Sequence, residues 1–142
     1  MKNNRQLLSS VLKISQMGQT GIECVMDVSM GSALRRELKS QLQEYEDIEH
    51  QAQSIARNRG WKLKPLDPAL GYLAGRMTRL KLTGNHSESR IADMMIQGNT
   101  QGMIKSLRDI HQYHGSDSTV TVLSQKLLDT EKANIKTMQS FL

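Results

Sequence analysis

One cysteine, two prolines and 4% aromatic residues leave few ways to build a fold from these 142 residues. A single thiol, Cys24, excludes an intramolecular disulfide and a Cys-rich zinc site. Cys24 sits among Ile22, Val25 and Met26, which predicts a buried, inert thiol. The two prolines, Pro65 and Pro68, lie together, so the chain on either side can run as long uninterrupted helices. With few aromatics, the core must come from Leu, Ile, Val and the nine Met. That composition suits packed helices better than a sheet, which favours β-branched and aromatic residues. No apolar run approaches the roughly 18 residues that span a bilayer. The apolar residues near the N-terminus are broken by Ser9, Ser10 and Lys13, the pattern of an amphipathic helix and not of a signal peptide. A cytoplasmic location is therefore expected. There is also no phosphate loop, nucleotide fingerprint, nucleophile elbow or catalytic triad pattern, so no catalytic residue is nominated. The 19 basic and 14 acidic residues give a net charge of +5. They are interspersed, without a block of five like charges, which predicts a solvated surface and no specific nucleic-acid partner.

Apolar residues recur at three-four spacing, and 142 residues fit one domain with one core. The first helix is predicted from Asn4 to Val28, with Leu7, Val11, Ile14, Gly18, Ile22 and Val25 as its buried stripe. Gly31 and Ser32 provide a stop and an N-cap. The second helix is predicted from Ala33 to Asn58, with a stripe of Leu34, Leu38, Leu42, Tyr45, Ile48 or Glu49, Ala52 and Ile55, and Gly60 closes it. Residues 60–84 form a connection anchored by Trp61, Leu63 and Leu66. Within it, Asp67-Pro68 starts a shorter helix to about Leu82, with Leu70, Leu73, Met77 and Leu80 on one side. The third long helix is predicted from Asn85 to His114. Ile91, Met95, Gly98 and Gly102 mark one face, and Ala92, Ile96, Met103, Leu107 and Ile110 an adjacent one. Gly98 and Gly102, with Gly18 and Gly21 on the first helix, suit a close helix crossing. The fourth runs from Thr119 to the C-terminus, with Leu123, Leu127 or Leu128, Glu131, Ile135, Met138 and Leu142 along one stripe.

The two short connections make two antiparallel pairs. The long link between them can cross the whole bundle, so the second and third helices run parallel. The order and lengths of these helices over nearly the whole chain resemble the ferritin-like superfamily. Segments Ile91 to Leu107 (IADMMIQGNTQGMIKSL) and Glu131 to Leu142 (EKANIKTMQSFL) are similar to an uncharacterised ferritin-like family of bacterial proteins. The resemblance implies an all-α, ferritin-like four-helix bundle, up-down-down-up, and brings no activity with it. In that superfamily the metal site takes a Glu from each of two helices and an E-x-x-H from each of the others. Here Glu46 is followed at the His position by Glu49, and Glu131 by Asn134.

Glu49 and Glu131 nonetheless stand where an apolar residue is expected. Counting turns from the helix ends places them at one height, beside Lys13, Gln16 and Met17 of the first helix and Gln97, Gly98 and Gln101 of the third. Carboxylates in a core need pairing, protonation or a metal. Two expectations follow. The first is a non-enzymatic binding or assembly protein, with no cofactor, whose buried polar layer fixes helix register. The alternative is a carboxylate site for iron or manganese, or a redox protein, built on Glu49 and Glu131 with Glu46, Gln97, Gln101 and Asn134 in support. The apolar connection also suggests a homodimer. His111 and His114, near a helix C-terminus, are expected to serve the helix end and not a metal.

Overall fold

The computed structural model describes residues 1–67 and 87–142. The predicted crossover helix from Pro68 to Leu82 lies outside the described residues. Among those described there are four helices and no strand: α1 (Asn4–Val25), α2 (Ser32–Arg59), α3 (Glu88–Gln112) and α4 (Ser118–Gln139). No helix among them is long and apolar enough to cross a membrane.

Each helix starts or stops for a local reason. The Asn3 side chain accepts from the Gln6 N–H, and the Gln6 amide accepts from the Asn3 N–H, a reciprocal cap at the head of α1. The helix ends three residues earlier than predicted, because the Met26 N–H turns back onto the Glu23 carbonyl. The freed carbonyls of Met26 and Val28 take up the Arg35 guanidinium at 2.8 and 3.1 Å, so Arg35 ties the α1–α2 turn. Gly60 adopts φ +70°, the left-handed conformation that glycine reaches without strain, and it terminates α2 where expected. Ser87 caps α3. Glu88 reaches across to the Gly31 N–H at 2.7 Å. Asp117 caps α4 by accepting from Thr119 and Val120.

Contacts between helix ends give the directions. The Lys2 N–H donates to the Gln112 carbonyl, so the start of α1 meets the end of α3. Arg5 donates to the Lys62 carbonyl at 2.8 Å, joining the start of α1 to the end of α2. Arg59 pairs with Asp117 at 3.0 Å, so the end of α2 meets the start of α4. The Gly31–Glu88 bond brings the starts of α2 and α3 together. Thus α1 and α4 run one way, and α2 and α3 the other, in an all-α bundle.

The core stripes follow alternating three and four steps, as in helices packed at a shallow angle. On α2 the buried residues are Leu34, Leu38, Gln41, Tyr45, Ile48, Ala52, Ile55 and Ala56. Gln41 replaces the expected Leu42, which is half-buried. On α3 the stripe begins with Ile91, Ala92 and Met95 and then turns polar, through Asn99, Ser106 and Asp109. The expected apolar face of Ile96, Met103, Leu107 and Ile110 is only half-buried. On α4 the core side holds Leu127, Glu131, Asn134 and Met138, with Ile135 half-buried and Leu142 exposed. Burying a leucine or isoleucine stabilises by about 1.5–3 kcal/mol, so the apolar half of each stripe carries the bundle. Trp61 and Leu63 pack half-buried against this core.

Candidate functional site

The polar residues cluster where the four stripes meet at mid-height. Tyr45 is 1% exposed, Glu131 2% and Asn134 3%. The Tyr45 hydroxyl donates to Asn99 Oδ1 at 2.8 Å and accepts from Asn134 Nδ2 at 3.5 Å. One hydroxyl thus joins α2, α3 and α4. The Glu131 carboxyl lies beside the same hydroxyl and interacts with it.

Glu131 is the anomaly. Its Oε2 is buried and has no hydrogen-bond partner among the described residues. Burial pushes its carboxyl up to about 8, with the neighbouring Tyr45 phenol opposing part of that rise. At neutral pH the acid is therefore mostly uncharged, which is how a carboxyl with one partnerless oxygen survives in a core. Tyr45 is raised as well, first by its own burial and then by Glu131.

Two glycines make room for these side chains. A β-carbon on Gly18 of α1 would lie 2.7 Å from the Tyr45 ring, and one on Gly102 of α3 would lie 2.7 Å from Glu131 Oε1. Gly21 and Gly98 differ: a β-carbon at either would meet nothing within 4 Å. The four glycines do not bring α1 and α3 together as a tight crossing. They leave a cavity of about 320 Å³ between those helices. Its walls are mainly apolar, with Ile14, Met17, Ile22 and Met95, and Tyr45, Asn99 and Glu131 face it from the inner side. Lys105 stands at its border.

Of the residues nominated from sequence, Glu131 and Asn134 share this layer, and Gln101 lines the cavity. Glu49 is half-buried and has different partners: it accepts from Gln19 of α1 and, at 3.4 Å, from Gln53. Gln97 is exposed and donates to Asp93, and Gln16 accepts from the Leu66 N–H. Glu46 is half-buried. In the sequence Tyr45 stands as an apolar anchor, and Asn99 and Gln41 carry no site signature. Their signal was positional, since each occupies a three-four step of its helix.

A second polar centre lies toward the N-terminal end of α1. Asp109, 3% exposed, accepts from the Ser10 hydroxyl. Its other oxygen lies 3.6 Å from Lys2 Nζ and 3.4 Å from Lys105 Nζ.

The donors around Glu131 are one carboxyl, one phenol and neutral amides. Among the described residues no three His, Cys, Asp or Glu side chains gather closely enough to hold a metal ion. This set does not fit the two-metal arrangement of four carboxylates and two imidazoles. It fits a pocket that offers hydrogen bonds to a mostly apolar guest. Comparison with protein-family models, with curated proteins and with solved structures gave no match.

Proposed function

We propose that this chain is a ferritin-like bundle acting as a non-enzymatic binding protein, and that the α1–α3 cavity takes a small, largely apolar molecule. The helix directions support the ferritin-like part, because α1 and α4 oppose α2 and α3. The observation that carries the binding part is the cavity itself, with the orphaned Glu131 oxygen buried beside it. Pockets of about 300 Å³ and above, apolar with a few convergent polar groups, are the usual form of small-molecule sites.

Titration with Nile red, a neutral dye that brightens in apolar surroundings, tests this reading. The unmodified protein should bind one dye saturably. Gly98→Leu should abolish binding, because its side chain grows into space that nothing occupies. Equal binding by both proteins would overturn the pocket. The metal reading on Glu49 and Glu131 retains one supporting observation, the partnerless Oε2 of Glu131. Stoichiometric iron or manganese in protein purified without chelator, lost in Glu131→Gln, would replace the pocket reading with that one.

A further inference from the structure

The α1–α3 groove changes character along its length. Around Ile22 and Met95 it is apolar, and a second cavity of about 450 Å³ follows it toward the start of α1. That second cavity is lined by Lys2, Arg5, Lys13 and Lys105, together with Ser9 and Ser10 among its polar groups. Lys105 lines both cavities, and its ammonium lies 3.4 Å from Asp109 Oδ1. Among the described residues the carboxylate that contacts this basic end is Asp109, which faces Lys2, Lys105 and the Ser10 hydroxyl together. Four cations against one carboxylate leave the end strongly positive. Lys13 forms no ion pair among the described residues, and half of the Lys105 side chain is exposed.

We infer that the guest is a free amphiphile with one anionic head, of the medium-chain carboxylate class, its chain in the apolar cavity and its head on Lys105 and Lys13. This deepens the proposed pocket and rests on it. The direction of the ligand follows from the lining: an apolar body is excluded from the basic end, and an anion gains charge-assisted hydrogen bonds only there. Glu131 does not repel such a guest at neutral pH, because burial keeps its acid protonated. An alkylammonium would be placed the other way, its charge on Glu131 and its tail among the lysines, which the basic lining opposes.

Displacement of bound Nile red by octanoate, octanol and octylammonium tests the assignment. Octanoate should displace the dye at about tenfold lower concentration than octanol, the gain expected of one charge-assisted contact. In Lys13→Ala/Lys105→Ala this advantage over octanol should shrink to about twofold or less. Lys105→Arg alone should keep it, since Arg also holds a carboxylate. Equal displacement by octanoate and octanol would overturn the anionic head while leaving the pocket standing. Octylammonium displacing best would overturn it in favour of a cation on Glu131. No binding of dye or octanol would end the pocket and the inference together. Flotation with phosphatidylglycerol vesicles separates the sources of the anion: the protein should stay unbound, and co-flotation that needs Lys105 would assign the basic end to a lipid surface instead.

Discussion

Glu131 of α4 lies across Gly102 of α3, so close that a β-carbon on Gly102 would stand 2.7 Å from its Oε1 and 2.9 Å from its Cδ. The glycine provides space for a buried acid and not a bend, since α3 is continuous through it. Gly102→Ala must therefore displace the Glu131 side chain within a packed layer. It should destabilise the protein by about 1–2 kcal/mol despite the better helix propensity of alanine. Gly98→Ala, one turn away with open space at its β-carbon, should instead stabilise by about 0.5–1 kcal/mol. Urea unfolding of the two variants checks the contrast, and a stabilised Gly102→Ala would contradict the packing described.

Tyr45→Phe should cost about 1–2 kcal/mol, because it leaves the Asn99 amide oxygen buried without its 2.8 Å donor. The loss comes from the orphaned acceptor more than from the missing bond. Adding Asn99→Leu to Tyr45→Phe should then recover at least part of it, since removing both partners is nearly neutral. Thermal unfolding of the single and double variants measures this. A double variant weaker than the sum of its parts would show that the amide makes other essential contacts.

Most of the bundle was legible because alternating three-four spacing needs no knowledge of neighbours. Leu34, Leu38, Tyr45 and Ile48 are buried as expected, and Gly60 stops α2 in the left-handed conformation. The polar half of the α3 stripe was not legible. Following only apolar residues leads from Met95 to Ile96 and Met103, whereas the buried positions continue through Asn99, Ser106 and Asp109. Asn99 is in the core because Tyr45, from another helix, gives it a partner. Glu131 was legible because it interrupts an apolar run. Glu49 fits nearly the same spacing as Ile48, and register decided between them: Ile48 is fully buried while Glu49 turns to Gln19 of α1. The glycines are visible in the sequence, but their consequence is not. A small residue admits either a close helix or a large neighbouring side chain, and Tyr45 and Glu131 fill the second role at Gly18 and Gly102.

Asp117 combines two roles at the entry to α4. It accepts from the Thr119 and Val120 N–H groups and pairs with Arg59, and the Arg59 hydrogen bond is the main reason its carboxyl lies below its usual range. Asp117→Ala should lose about 1 kcal/mol through the vacant cap. Arg59→Ala should lose less, because the exposed ion pair is screened while the cap survives. Raising salt to about 1 M should narrow the gap between wild type and Arg59→Ala and leave the Asp117→Ala deficit mostly intact. Equal losses from the two substitutions would show that the ion pair, not the cap, holds the start of α4.

Glu131 should impose a pH dependence opposite in sign to that of an ordinary paired carboxylate. Its acid is raised from 4.5 to about 8 in the folded bundle, chiefly by burial. In the unfolded chain it ionises near its ordinary value. Between those limits the native state holds more protons than the unfolded state, so stability falls as pH rises through this window. Below about 4.5 both states are protonated and the stabilising contribution is fully present; above about 8 it is lost. Asp117 works the other way, but its depressed carboxyl acts only at the acid end, below 3.8. Within the window, Glu131→Gln should therefore flatten the profile. The amide keeps the shape and carries no charge, so the variant should match the unmodified protein near pH 5 and exceed it by about 2 kcal/mol at pH 9. Urea unfolding at half-unit steps from pH 5 to 9 reads the difference directly. If the two profiles run parallel across this range, Glu131 is not the group that titrates, and its carboxylate has a partner or an exit to water that its 2% exposure does not suggest.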